Sequence, residues 1–188
     1  MSELEELKLF TELLNKLRES GFVVSKAKYD LLNMHMAGFE VHATYKEGNV
    51  TWFFVFECSL SGACKVKEED VDVEVTLDKQ SADVFINTAF NIITSVVNVQ
   101  KDMRLLAEKI RQVLGEDARF EDLKTKIFLN KYYSESLNHG LLQITLLPRK
   151  VKINVEILLA SWDEAKLLSL ITHLNNVLQL EGFKNQVS

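Results

Sequence analysis

Between Ser81 and Leu114 the apolar residues Phe85, Ala89, Ile92, Val96, Val99, Met103, Leu106, Ile110 and Val113 recur at alternating spacings of four and three. An α-helix places all of them on one stripe, so the spacing predicts a single long central helix over 81–114. Ser81 suits the N-cap, Asp83 the positive end of the dipole and Gly115 the left-handed residue that ends the helix. In the first half, Ile86, Phe90, Ile93 and Val97 widen the stripe past half the circumference, as in a helix buried on several sides. In the second half, Lys101, Asp102, Arg104, Glu108, Lys109, Arg111 and Gln112 leave a narrow seam, suited to one partner helix from this chain or from a second copy. Met103 and Ile110 lie on that seam and are candidate partner-binding residues. Two readings stay open: a core helix lying across a sheet, or such a helix that also carries self-association.

The remaining elements are read around this helix. Ser2 to Ser20 reads as a helix with Leu4, Leu7, Phe10, Leu14 and Leu17 on one face, a capping box from Ser2 and Glu5, and a stop at Gly21. Phe22 to Ala27 reads as a short strand, and Lys28 to Ala37 as irregular or briefly helical. Phe39 to Cys58 is a hairpin turning at Gly48-Asn49, a favoured two-residue connection. That turn pairs Phe39 with Cys58, Val41 with Phe56, Ala43 with Phe54 and Tyr45 with Trp52, all on one face. The other face carries Glu40, His42, Thr44 and Lys46 opposite Glu57, Val55, Phe53 and Thr51.

Val71, Val73, Val75 and Leu77 alternate with polar residues as in a further strand. Asp117 to Asn138 reads as a helix with Phe120, Leu123, Ile127 and Phe128 inward. A second hairpin turns at about Arg149-Lys150, with Leu142, Ile144 and Leu146 on the side of Ile153, Val155 and Ile157. A last helix runs from Ser161 to Leu180, with a capping box from Ser161 and Glu164. The expected fold is α+β: an antiparallel sheet of about five strands covered by helices on one side, in the order α-β-β-β-α-α-β-β-α. No proline- or glycine-rich linker divides the 188 residues, so 1–188 is expected to be a single domain.

In element order and acidity the chain resembles the small acidic, dimeric chaperones of bacterial type III secretion and related YbjN-like domains. The resemblance lies in order and net charge rather than in a residue motif, and the helix from Asp117 departs from it. It implies a dimeric polypeptide-binding protein.

A net charge of −5 argues against nonspecific nucleic-acid binding by the whole surface. MSELEELKLF is acidic and amphipathic, unlike a signal peptide, and no continuous apolar run approaches bilayer length, so the expected location is cytoplasmic, away from membranes. In that compartment Cys58 and Cys64 are expected as two thiols, although they are close enough in sequence to bridge a short loop.

No Gly-x-Ser-x-Gly, Walker loop or dinucleotide fingerprint is present, and no cofactor is implied. The densest chemistry is acidic: Glu68, Glu69, Asp70, Asp72 and Glu74 fall within seven residues. If the third strand pairs beside Glu57, then Glu40, Glu57, Asp72 and Glu74, with His42, share a sheet face that suits Mg²⁺ or Mn²⁺. The alternative is a solvated charged face that keeps the sheet soluble. His35, His42, His139 and His173 show no metal-ligand spacing.

Lys124, Lys126, Lys131, Tyr132 and Tyr133, with Arg149, Lys150 and Lys152 at the hairpin tip, form the basic candidate: lysines engage phosphates and tyrosines stack on bases. A normal charged helix surface is the plainer reading, and net acidity makes nucleic acid the less favoured partner. Phe53 and Val55 are apolar on an otherwise polar face and are candidate partner-binding residues; Leu147 and Leu158 lie likewise on the polar face of the second hairpin, which suggests that something covers part of it. The leading expectation is a non-catalytic, chaperone- or adaptor-like interaction protein, a homodimer that also binds another polypeptide. The alternatives are a divalent-metal-dependent enzyme acting on phosphate esters and a nucleic-acid-binding protein.

Overall fold

In a computed structural model the backbone is described for residues 3–30, 38–59, 62–77, 80–123, 126–135, 138–149, 152–160, 168–169 and 172–176. The fold is α+β, with a five-stranded antiparallel sheet flanked by helices and one long helix from Ala82 to Leu114. The chain divides into two compact units, Met1–Val97 and Asn98–Ser188. The division falls inside the long helix, which explains why no linker composition marks it.

The first unit opens with α1 (Glu3–Glu19), followed by β1 (Val23–Asp30), β2 (Gly38–Glu47), β3 (Val50–Ser59), β4 (Cys64–Glu68) and β5 (Val73–Leu77). The strands form a meander in the order β1-β2-β3-β4-β5. The β2–β3 register is the one expected, from Phe39↔Cys58 through Tyr45↔Trp52. Gly48 takes φ 59 at the first central position of the turn, a conformation glycine adopts without steric cost.

Phe39, Val41, Ala43, Trp52, Phe54, Phe56, Cys58, Cys64, Val66 and Leu77 turn one sheet face into the core. They pack with Leu9, Leu13 and Leu17 of α1 and with Phe85, Ala89, Ile92 and Val96 of α2 (Ala82–Leu114). Phe22 lies within ring contact of Phe54, Phe56 and Phe90, and Phe85 within contact of Phe39 and Phe56.

Several expectations are corrected. The core stripe of α1 runs through Leu9, Leu13 and Leu17, leaving Leu4 and Leu7 in water. The apolar arc of this helix is wide enough for either edge to face the sheet, and packing chooses the edge nearer Leu13. Lys28 to Asp30 continue β1, and Cys64 to Glu68 form a strand of their own.

The larger correction lies after α2. Asp117 to Asn138 is not a helix: it contains β6 (Arg119–Leu123), β7 (Lys126–Glu135) and the start of β8 (Asn138–Arg149). With β9 (Lys152–Ala160), these make a second, four-stranded sheet in the order β6-β7-β8-β9. Ile127 and Leu129, two apart, pair with Leu146 and Ile144 and are buried with them. The period of two, with Ile, Phe and Tyr in the same run, prevails over the looser helical spacing.

The second core joins these residues and Leu142 to Met103, Leu106, Ala107, Ile110 and Leu114 of α2. The expected hairpin is formed, with Arg149 paired to Lys152. Most of the expected closing helix, 161–180, lies outside the described residues; 168–169 and 172–176 are helical, and Leu174 enters the second core.

With five strands before the long helix and four after it among the described residues, the order departs from the one that resembles the secretion chaperones. Among the described residues, α2 is the one helix long and apolar enough, by length and composition, to cross a bilayer. Its apolar residues supply the two cores, and a core helix passes the same test.

Candidate functional site

The outward face of the five-stranded sheet carries most of the candidate chemistry, because alternation sends most charged residues of β1 to β5 away from the helices. They arrive in a cross-strand order that pairs opposite signs. Lys26 Nζ lies 2.7 Å from Glu40 Oε1, and His42 Nε2 lies 2.7 Å from the same oxygen. Hydrogen bonds from Lys26, then His42, hold the Glu40 carboxyl below its ordinary range.

Lys65 Nζ sits 3.1 Å from Glu57 and 3.2 Å from Glu74, and hydrogen bonding to Glu57, then Glu74, raises its pKa. Glu40 and Glu57 are directly opposite, as the register requires. Each has its own cation, which offsets the cost of like charges across a ladder.

This arrangement decides what the four proposed metal ligands do. Lys65 stands between Glu57 and Glu74, where a cation site would need converging oxygens. Asp72 lies in the β4–β5 turn at φ 52, 3.7 Å from Lys67. Among the described residues, no group of three or more His, Cys, Asp or Glu side chains is placed to hold a metal ion. The face is a ladder of ion pairs with lysines occupying the gaps.

Of the acidic run, Glu68 has a different role, which sequence reasoning missed. It is fully buried, and its Oε2 accepts from Val71 N–H at 2.8 Å while Oε1 accepts from Phe53 N–H at 3.2 Å. The carboxylate therefore closes the β4–β5 turn and ties it to β3. Parity carried the signal: Cys64, Val66 and Glu68 are two apart, so Glu68 falls on the inward face.

The basic candidates do not share a helix face, since their segment is β-structure. Lys131 Nζ contacts the Leu114 carbonyl and lies 3.0 Å from Asp117, so it caps the end of α2. That contact holds the Asp117 carboxyl below its ordinary range. Lys124 and Lys150 lie outside the described residues, as do the side chains of Tyr132 and Arg149.

Of the partner-binding candidates, Phe53 is 38% exposed on the outward sheet face, whereas Val55 beside it is 5% exposed. Val55 pairs with His42 on one side and Lys67 on the other, strands whose long side chains share its face. Met103 and Ile110 are both fully buried in the second core, so the chain's own strands fill the seam offered to a partner. The large apolar side chains left in water include Leu4 at 78%, Leu7 at 43% and Leu105 at 63% exposure.

Cys58 and Cys64 are joined by a disulfide, where two thiols were expected. They are cross-strand partners on β3 and β4 with Cα atoms 4.1 Å apart.

No protein-family model matches the chain, and no curated protein matches it.

Proposed function

We propose that the protein is a non-catalytic, cytoplasmic protein-binding module that self-associates. The observation that carries this reading is the position of Leu4 and Leu7, one helical turn apart on α1 and 78% and 43% exposed while Leu9, Leu13 and Leu17 of the same helix fill the core. Burying a leucine side chain is worth about 1.5–3 kcal/mol, so the pair gains substantially from any apolar cover. Among the described charged groups, Glu40, Glu57 and Glu74 pair with lysines and Lys131 caps α2, which favours a binding role over an enzymatic one.

The test is sedimentation of the wild type and a Leu4→Glu/Leu7→Glu variant over a range of micromolar concentrations, with thermal melts of both. Association in the wild type, lost in a variant of unchanged monomer stability, is the expected result. A wild type that stays monomeric throughout and captures no protein from native extract overturns the proposal.

A further inference from the structure

The face of α1 turned away from the sheet has an order of its own. Leu4, Leu7, Thr11, Leu14 and Arg18 follow one another at alternating spacings of three and four, the spacing of a seam between two helices. Leu4, Leu7, Thr11 and Arg18 are exposed and Leu14 is half-buried. The sheet takes the other stripe, through Leu9, Leu13 and Leu17, so one seam of the helix is filled and a second stands in water. Thr11 Oγ1 donates to the Leu7 carbonyl at 2.9 Å, so covering Thr11 orphans no donor. Lys8 and Glu12 flank the seam one turn apart, with Nζ 3.8 Å from Oε1 and both side chains largely exposed.

We infer that α1 is the dimer contact, packed antiparallel against α1 of a second copy about a twofold axis. This rests on the self-association proposed above and names its surface, its partner and its direction. Reversing one helix against the other sets Leu4 against Leu14 of the second copy and Leu7 against its Thr11, and the twofold repeats both layers. The same register brings Lys8 beside Glu12 of the second copy and Glu12 beside its Lys8, two pairings of opposite charge. A parallel pair turns the Lys8 flank toward the Phe10 flank of its neighbour and forms neither. Arg18, in the basic last turn, comes to the start of the second helix, where the sequence is acidic. The seam and its flanking charges complement themselves, which selects a second copy over an unrelated helix. A helix of 17 residues is roughly 25 Å long. The contact therefore falls at the small end of protein interfaces, and the dimer forms at micromolar rather than nanomolar concentration.

The experiment is sedimentation equilibrium of the full chain in low-salt buffer, for the wild type and for Thr11→Leu, Lys8→Glu and Glu12→Lys. All three positions are exposed, so the variants keep the fold, and thermal melts of dilute samples check it. Thr11→Leu is expected to lower the dissociation constant about tenfold, because two layers per dimer each gain apolar contact. Lys8→Glu and Glu12→Lys are each expected to raise it about threefold or more, since like charges then meet at both flanks. An equimolar mixture of those two variants restores opposite charges at both flanks, so it is expected to associate more tightly than either alone. A wild type that associates while the Thr11→Leu constant is unchanged, or while the mixture is no tighter than its parts, overturns this contact and leaves self-association to another surface. A wild type that stays monomeric overturns the contact and, with no protein captured, the binding reading as well.

Discussion

Glu68 offers a direct test of how this sheet is held together. Its carboxylate is fully buried and accepts backbone N–H groups of Val71 and Phe53, at 2.8 Å and 3.2 Å. Leaving a buried donor without its acceptor costs about 1–3 kcal/mol. The Val71 contact is buried and short and takes the upper part of that range; the Phe53 contact is longer and partly buried and takes the lower. Glu68→Ala removes both acceptors and some packing, for an expected loss of about 3–4 kcal/mol. Glu68→Gln keeps the volume and one acceptor oxygen but turns an amide donor toward the other N–H, for about 1–2 kcal/mol.

Glu69, exposed in the same turn, provides the control: Glu69→Gln is expected to stay within about 0.5 kcal/mol of wild type. Urea titrations followed by Trp52 fluorescence, in a Trp162→Phe background, report on the unit that contains the turn. A Glu68→Ala midpoint indistinguishable from that of Glu69→Gln would show that the turn closes without the carboxylate, and the reasoning would fail.

Glu40 sets an acid dependence. Its folded pKa lies below the ordinary 4.5 because Lys26, then His42, hydrogen-bond the carboxylate. The stabilisation is therefore present above the unfolded value and lost as pH falls through the folded one. Denaturant melts from about pH 5 to about pH 3 should show the wild type losing more stability than Glu40→Gln, by a small, salt-sensitive margin since the pair is partly exposed; equal losses would refute it. Lys131→Met removes the cation at the end of α2 and is expected to cost about 1 kcal/mol in thermal melts; an unchanged melt would mean that Gly115 alone ends the helix. Asn98→Pro, at an exposed position of α2, removes a helical hydrogen bond at a cost of about 3 kcal/mol. Hydrogen exchange should then lose protection near residue 98 while 85–93 and 103–110 stay protected by their own cores; loss throughout either half would mean that helix continuity, and not side-chain burial, holds it.

What was legible in the sequence follows from how local each signal is. The long helix carries its stripe over 33 residues, and the β2–β3 hairpin carries its register in one turn and one alternation. Both are decided by neighbours in sequence, and both are as expected. The segment after Gly115 is different. Phe120, Leu123, Ile127 and Phe128 satisfy a helical period, while Ile127 and Leu129 satisfy a strand. What separates the two is the chance to pair with Leu146 and Ile144, residues that local pattern cannot bring near. The same cause hides the unit boundary: a helix that supplies two cores shows no change of composition where one ends and the other begins.

The site residues were legible by type and face but not by partner. Glu40, Glu57 and Glu74 do lie on the outward side of the sheet, where the alternation put them. Whether carboxylates on such a face gather a cation or disperse depends on what stands between them. That in turn depends on β4, a strand of five residues which the sequence reading left unassigned. Once β4 is inserted between β3 and β5, Lys65 falls within 3.1 Å of Glu57 and 3.2 Å of Glu74, and Lys67 within 3.7 Å of Asp72. The lysines supply the positive charge a metal ion would bring, already covalently in place and at no cost in affinity. The same strand puts Cys64 beside Cys58 and Glu68 beneath the turn. One short element thus turns an apparent oxygen-rich site into an ion-pair ladder, a cross-link and a buried cap, and it moves the search for function from the charged face to the leucines left uncovered on α1.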